Sequence, residues 1–484
     1  MSPQAPRSTP PPGEWPSAEV AASSILFSPL QLRSGLLLHA RTWVPAMVPW
    51  RATEDGAVTP QVLGWYERLA RGRPAVLVVE ATGVRSVRSG PLLRLHDDAC
   101  IAGMRTLVDC VRRASGGETR LLVQLIDFLA LRRRPERSAW YLRHFKPSGE
   151  HRAALTRMGK LVPEDDAALA AACIGLSEDE EALLLRPREL EDLRFGARER
   201  VSDTHLEHIA ALPQVLPAAF AAAAERARTA GFDGVELHYA HAYTMASFLS
   251  RTNTRSDGYG GSFEGRMRLP LEVLTAVRAR VGTDWTVGAR FLGDEVVAGG
   301  NRIEDAVLIA LALAQAGIDF VSISKGGKFD DARQPRVGEA VYPYTGPSGH
   351  ECMPTVRITG GPFARNVPLA AAVRLALRQA GYSTPVVAAG ALCAFGQMEG
   401  VLQRGDADLV AAARQSLADP DWWTKLRMGR GGEIRRCSYT NYCEGLDQRH
   451  KEVTCKLWDR LPATESSGGC SSDGRNLLAP DWQH

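Results

Sequence analysis

The sequence has few cysteines, almost no net charge and no long apolar run, and each shortage excludes a class of protein. Nine cysteines, an odd number spread over 484 residues, do not make the disulfide framework of a small secreted domain. The 58 basic and 55 acidic side chains nearly cancel to +3, which gives no support to a nucleic-acid or membrane-surface role. No apolar stretch reaches the roughly 20 residues that span a bilayer, and the amino terminus lacks a basic-then-apolar secretory signal. We therefore expect a cytoplasmic protein that acts on a small-molecule substrate.

Both ends of the chain are predicted to lack regular structure. The segment PQAPRSTPPPGEWP near the amino terminus is rich in proline and small polar residues, which bury too little surface to offset the entropy of ordering. We predict a disordered tail over residues 1–22 and a flexible tail over residues 461–484. Residues 23–460 are assigned to one domain.

Within that domain, short apolar runs alternate with amphipathic segments. The runs that we interpret as strands are residues 41–46, 75–81, 120–125, 234–238, 285–290, 319–324, 386–390 and 407–412. A strand followed by a helix, repeated about eight times, is typical of a parallel (β/α)8 TIM barrel. A doubly wound open sheet shares this alternation, so the pattern alone leaves both architectures open.

One connection is much longer than the others. About a hundred residues separate the third and fourth runs, where a barrel normally needs only a loop and a helix. We place an insertion at about residues 135–205, and Ser177 with Glu180 predicts a capped helix within it. The insertion is either a solvent-exposed addition to the barrel or a cover over the substrate. Because loops that follow barrel strands face the active site, we expect it over the barrel mouth.

The stretch at residues 231–268 carries most of the recognisable chemistry. It reads GFDGVELHYAHAYTMASFLSRTNTRSDGYGGSFEGRMR. His238, His241 and Tyr243 lie in it where the fourth apolar run ends. Two imidazoles at one strand end can both donate hydrogen bonds to a single carbonyl oxygen and stabilise negative charge on it. The same pair, completed by Glu236 or Asp127, could instead hold a metal ion in a barrel hydrolase. Both readings stay open on the residues alone.

This stretch resembles the old yellow enzyme family, the FMN-dependent NAD(P)H:flavin oxidoreductases known as ene-reductases. The likeness extends over roughly residues 26–458 and favours the barrel over the open sheet. It implies hydride transfer from NADH or NADPH through FMN to an activated alkene. It also implies that His238 and His241 bind the substrate carbonyl and that Tyr243 is the acid that protonates the α carbon.

The resemblance further implies an FMN site at the strand ends. The residues concerned are Met47, Ala81, Gln124, Arg290, Gly390, Ala413 and Arg414. Gln124 and Arg290 match positions beside the flavin pyrimidine, where they tune the cofactor, while Gly390 and Arg414 match the phosphate end.

Two departures from the family pattern limit what carries over. Val48 stands where the family commonly has Thr or Cys beside the flavin, and QLID at residues 124–127 replaces the frequent QLWH. The flavin potential and the substrate therefore do not follow from the resemblance. Run in reverse or without net reduction, the same groups would desaturate or isomerise an enone, and a flavin-binding protein without turnover is a further alternative. Homo-oligomer formation is left open.

The last cysteines resemble a segment of the longer 2,4-dienoyl-CoA reductase type of relative, where four Cys hold a 4Fe–4S cluster. Here Cys437, Cys443 and Cys455 are present, but the second position of the pattern is Thr440. Because such a cluster takes four thiolates, we do not expect it to be intact and interpret the three thiols as a remnant.

Overall fold

Eight parallel strands form a closed barrel in the computed structural model, which describes residues 13–87, 90–326, 336–338, 363–447, 449–462 and 469–483. The strands are β1 (Leu30–Gln31), β2 (Leu37–Leu38), β3 (Thr42–Val44), β4 (Val76–Gly83), β5 (Arg120–Ile126), β6 (Leu131–Arg132), β7 (Ala197–Arg198), β8 (Gly234–Tyr239), β9 (Thr286–Leu292), β10 (Phe320–Ser324), β11 (Val386–Ala388) and β12 (Leu409–Ala411). The barrel order is β3, β4, β5, β8, β9, β10, β11, β12, and β12 pairs back onto β3. All eight predicted strands are present, so the TIM barrel is confirmed and the open sheet is ruled out.

Helices follow the barrel strands and fill the long connection. They are α1 (Ala18–Ala22), α2 (Pro60–Ala70), α3 (Cys100–Ser115), α4 (Arg137–Arg143), α5 (Gly149–Arg157), α6 (Asp166–Cys173), α7 (Glu178–Leu184), α8 (Pro187–Phe195), α9 (Glu207–Ala210), α10 (Leu212–Ala230), α11 (Thr244–Leu249), α12 (Phe263–Val281), α13 (Ile303–Gln315), α14 (Val367–Gln379), α15 (Phe395–Gln403), α16 (Arg414–Ala418), α17 (Trp422–Arg427) and α18 (Tyr442–Asp447), with a short 3-10 helix at Gly431–Glu433. No helix in the described ranges has both the length and the hydropathy that crossing a bilayer requires.

Local signals fix the helices on either side of β8. The alanine-rich α10 ends at Gly231, whose φ of 99° lies in the left-handed region that glycine adopts without a steric penalty. On the other side, the Ser262 hydroxyl accepts a hydrogen bond from the Gly265 backbone N–H at 3.2 Å and caps α12. The chemistry-bearing stretch is therefore held between two well-defined helix ends.

The amino-terminal end of the barrel is closed by apolar packing. Trp43 and Phe320 meet edge to face inside it, with their ring centroids 4.9 Å apart. Leu32 and Leu38, which flank the turn of the β1–β2 hairpin, belong to the same buried cluster. With this end filled, the carboxyl ends of the strands are left to form a site.

The insertion between β5 and β8 folds around a core of its own. Trp140, Tyr141 and Phe145 pack against Leu155 and Leu169, separately from the barrel core. The predicted capping box is confirmed, because the Ser177 hydroxyl accepts from the Glu180 N–H while the Glu180 carboxylate accepts from the Ser177 N–H.

The structure describes parts of both segments that we predict to be tails. Residues 13–22 contain α1, and Trp15 packs against the barrel core. At the other end, the buried Arg475 donates to the Glu452 carbonyl at 2.6 Å, and the Ala479 carbonyl accepts from Arg68 Nε at 3.0 Å. These contacts order both segments through partners far away in the chain, which their own composition does not reveal. Residues 1–12, 463–468 and 484 lie outside the described residues.

Candidate active site

A cavity of about 310 Å³ lies at the carboxyl ends of the barrel strands. All the site residues predicted from the sequence line it, and they are Met47, Ala81, Gln124, His238, His241, Tyr243, Arg290, Gly390, Ala413 and Arg414. They come from seven of the eight barrel strands or the turns that follow them. Closure of the sheet brings these strand ends to one mouth, which explains why residues far apart in sequence meet here.

Two histidines and a tyrosine form one aromatic patch of the wall. His238 is the fifth residue of β8, and His241 follows the strand at a backbone turn with φ 60°. Their ring centroids are 5.3 Å apart, and the Tyr243 ring lies 5.4 Å from His238. Phe128, from the loop after β5, packs edge to face on the other side of Tyr243 at 5.3 Å. The three polar groups can therefore reach one small ligand.

Both imidazoles are uncharged near neutral pH. Burial, reinforced by the positive charge of Arg290, lowers the pKa of His238 to about 3 and holds the pKa of His241 well below its usual value. His238 Nδ1 accepts a hydrogen bond from the Ala240 backbone N–H at 3.4 Å, so its proton resides on Nε2. His241 Nε2 lies 2.7 Å from Ser324 Oγ. The pair supplies neutral hydrogen-bonding groups rather than cations.

A second group of polar residues lies deeper in the barrel. Gln124 Nε2 donates to Glu236 Oε1 at 2.6 Å, and both side chains are buried. Arg290 Nη2 donates to Ser324 Oγ at 3.3 Å, while its Nε is buried without a partner among the described residues. Burial raises the pKa of Glu236, and the nearby Arg290 charge opposes that rise. Arg290 thus brings a positive charge to the cavity wall and keeps one buried N–H without a partner among the described residues.

Another part of the cavity wall carries positive charge, and its backbone lies close to a neighbouring side chain. Gly390 has φ 121°, and a Cβ there would lie 3.1 Å from the Asn366 side chain, so glycine is required. Arg414 Nη1 donates to Asn441 Oδ1 at 2.6 Å, and its guanidinium lies 4.6 Å from the centre of the Tyr439 ring.

Several lining residues were not predicted from the sequence. They are Arg365 and Asn366, just before α14, and Tyr439, Glu444 and Asp447, in and before α18. None belongs to a strand end, so the strand pattern contained no signal for them. The segment that contains α18 is held against the loop after β3, because Trp50 Nε1 donates to Asp447 Oδ1 at 2.7 Å.

The insertion does not line the cavity. None of the described residues of 135–205 contributes to its wall. The insertion has buried its large apolar side chains in its own core.

The cysteines and the metal-hydrolase alternative can be judged from the geometry. Cys443 lines the cavity, and burial raises the pKa of the Cys443 and Cys455 thiols to about 12. The Asp127 carboxylate is engaged by Arg85 at 2.5 and 2.9 Å, and Glu236 by Gln124. Across the described ranges, no three His, Cys, Asp or Glu side chains are grouped to hold a metal ion. The hydrolase alternative therefore has no ligand set in this part of the chain.

Comparison with known proteins agrees with this geometry. Residues 214–433 match the NADH:flavin oxidoreductase / NADH oxidase family. The NADH oxidase of Thermoanaerobacter brockii is 30% identical over 412 residues, which cover 84% of this chain and 51% of that protein. The chain thus spans about half the length of the first curated relatives it matches.

Solved structures share the fold. A 2-naphthoyl-CoA reductase complex superimposes with a TM-score of 0.62 at 19% identity, over 90% of this chain and 56% of that one. The old yellow enzyme homologue from Zymomonas mobilis superimposes with a TM-score of 0.52 at 19% identity, over 83% of this chain and 92% of that one. Together with the sequence match, these findings confirm the predicted resemblance of this chain to the NADH:flavin oxidoreductase / NADH oxidase family.

Proposed function

We propose that this protein uses FMN to pass hydride from NADH or NADPH to the β carbon of an α,β-unsaturated carbonyl compound. The observation that carries the proposal is the uncharged His238–His241 pair beside Tyr243, in one cavity with Arg290. This combination supplies carbonyl binding, a proton donor and a fixed positive charge. The match of residues 214–433 to the NADH:flavin oxidoreductase / NADH oxidase family supports the flavin and the nicotinamide donor.

The residues present fit FMN. The Arg290 guanidinium and the Gln124 amide offer hydrogen bonds to a flat polar ring, and Met47 and Ala81 give it apolar contact. At the cationic end, Gly390 and Arg414 suit a phosphate group. When bound there, FMN supplies the hydride chemistry, and the protein supplies orientation and electrostatics.

The His pair and Tyr243 act on the substrate. His238 Nε2–H and the His241 ring would hydrogen-bond the carbonyl oxygen, which polarises the conjugated C=C and stabilises the enolate-like charge that develops. The Tyr243 hydroxyl would then give its proton to the α carbon.

The low pKa of His238 makes carbonyl binding insensitive to mild acid. We expect the Kd of an enone for the oxidised protein, followed by the flavin absorption change, to stay constant from pH 8 to pH 5. Both imidazoles have depressed pKa values, that of His238 about 3, so they remain neutral over this range. A transition near pH 6.5 would show that at least one of them titrates normally and would contradict the burial argument.

Removal of the Arg290 charge should weaken cofactor binding. Loss of a hydrogen bond to a charged group costs about 1.5–3 kcal/mol, so we expect Arg290→Ala to raise the Kd for FMN by roughly 10- to 150-fold. The flavin midpoint potential should also fall, because a fixed cation favours the anionic reduced ring. Equilibrium dialysis and a redox titration measure the two effects. The control is Arg280→Ala on the outer helix α12, which removes an exposed ion pair with Glu225 on α10 and should change neither quantity.

The first test of the proposal is the visible spectrum of the purified protein under anaerobic conditions. A flavin spectrum that bleaches on addition of NADH or NADPH, and recovers on addition of an enone, is the expected result. If the protein bound no FMN, the assignment of FMN as the cofactor would be overturned. A reduced flavin that no enone reoxidises would leave the flavin in place and overturn the substrate class.

A further inference from the structure

We propose that Glu236 is a positioning residue that fixes the orientation of the Gln124 amide, and so makes the cavity wall selective for a ring that offers an N–H. The inference rests on the proposed function, because the ring concerned is that of FMN. Glu236 itself does not line the cavity. It acts through Gln124, which does.

The barrel register places Glu236 where it can do this. Gln124 on β5 pairs with Glu236 on β8, and Glu236 pairs in turn with Gly288 on β9, two residues before Arg290. The Gln124 and Glu236 side chains are 2% and 1% exposed, so water does not compete for their hydrogen bond. That bond runs from Gln124 Nε2 to Glu236 Oε1 and is 2.6 Å long.

The hydrogen bond decides which end of the amide faces a ligand. A glutamine amide has donors on Nε2 and an acceptor on Oε1. With Nε2 directed to Glu236, the Oε1 of Gln124 is left as the acceptor, and it forms no hydrogen bond with the described residues. Arg290 supplies donors in the same cavity. The Gln124 acceptor matches an N–H on the edge of a ring, and the Arg290 donors match a carbonyl on the same ring. If the amide were flipped, its N–H would face the N–H of the ring and no hydrogen bond could form.

A carboxylate is suited to enforcing this orientation. An ionised carboxylate only accepts hydrogen bonds, so a flipped Gln124 would place oxygen against oxygen. Burial raises the pKa of Glu236, but the positive charge of Arg290 and the Gln124 hydrogen bond both oppose the rise. Glutamine at this position could either donate or accept, and would permit both orientations of Gln124.

The test measures flavin affinity rather than turnover. FMN and 3-methyl-FMN, in which a methyl group replaces the ring N–H, are titrated by fluorescence quenching into the full chain after its flavin has been exchanged out. We expect Glu236→Gln to weaken binding of FMN about tenfold more than binding of 3-methyl-FMN. Any general effect of the lost charge acts on both flavins, so the ratio of the two affinities isolates the N–H. Equal weakening of both flavins would overturn the inference.

A double-mutant cycle gives an independent readout. If Glu236 acts through Gln124, the variant Gln124→Leu/Glu236→Gln should bind FMN no more weakly than Gln124→Leu alone. If the two substitutions instead weakened FMN binding independently, so that their fold-changes in Kd multiplied in the double variant, the inference would be overturned. Glu80→Gln is the matched control, because Glu80 is a fully buried glutamate on the neighbouring strand β4 that binds Tyr66 and does not line the cavity. It should leave the affinity ratio unchanged. Wild-type protein that binds neither flavin would instead overturn the proposed function, so the two failures are distinguishable.

Discussion

Replacement of Tyr243 by phenylalanine should slow reduction of an enone by about 10²- to 10⁴-fold, the usual contribution of a positioned general acid. The ring would remain packed between Phe128 and His238, so the variant removes the hydroxyl with little change in shape. Reduction of the flavin by NADH or NADPH does not use this proton and should proceed at the wild-type rate. Stopped-flow absorbance separates the two half-reactions, because the flavin bleaches in the first and recovers in the second.

A control variant distinguishes loss of the Tyr243 proton from a general disturbance of the site. Tyr259→Phe is a suitable control, since Tyr259 lies in the loop before α12 and its hydroxyl contacts Glu272 at 3.4 Å, away from the cavity. It should leave both half-reactions unchanged. If Tyr243→Phe slowed both half-reactions equally, Tyr243 would have a structural role and the acid would have to be another group.

The second large effect is expected at His238. His238→Leu removes a donor to the carbonyl oxygen, and loss of one such donor typically costs about 10²- to 10³-fold in rate. The Kd for the enone should rise as well, because the same hydrogen bond forms in the ground state. FMN content should be maintained, since Gln124, Arg290 and Gly390 are untouched. Rapid-reaction kinetics of flavin reoxidation at several enone concentrations give both quantities.

A second substitution at the same position separates hydrogen bonding from shape. The His238 side chain is 3% exposed, so any smaller residue also disturbs packing. Asparagine carries an N–H donor that leucine lacks, and His238→Asn should recover part of the lost rate. If the asparagine and leucine variants were equally slow, the imidazole would matter for packing and not as a donor.

The strands and the residues at their ends were predictable because their signals are local. An apolar run such as residues 234–237 marks a strand buried on both faces, and the polar residues that stop it mark the strand end. His238, His241 and Tyr243 were found in this way and by the family resemblance. Arg290, after the run TVGA, belongs to the same class. A closed barrel then leaves little freedom in where these side chains meet.

Other parts of the site were not predictable, because they depend on contacts between distant segments. Asp447 reaches the cavity since Trp50 binds it across 397 positions of the chain, and no periodicity in α18 records that partner. The contacts of the carboxyl-terminal segment also depend on a distant partner, because Arg68 binds the Ala479 carbonyl across 411 positions. The core of the insertion depends on tertiary packing in the same way, because its aromatic residues pack against partners within the insertion itself.

By itself, the sequence determined the barrel, the family resemblance and the set of strand-end residues that face one another. Only the tertiary structure decided that His238 and His241 are uncharged, that Arg290 keeps a donor unused, and that Glu236 holds the Gln124 amide. The reason is physical. Hydrophobic periodicity and strand-end chemistry are properties of short segments, whereas a pKa, an unsatisfied donor or the orientation of an amide depends on how closely residues from separate strands pack and exclude water.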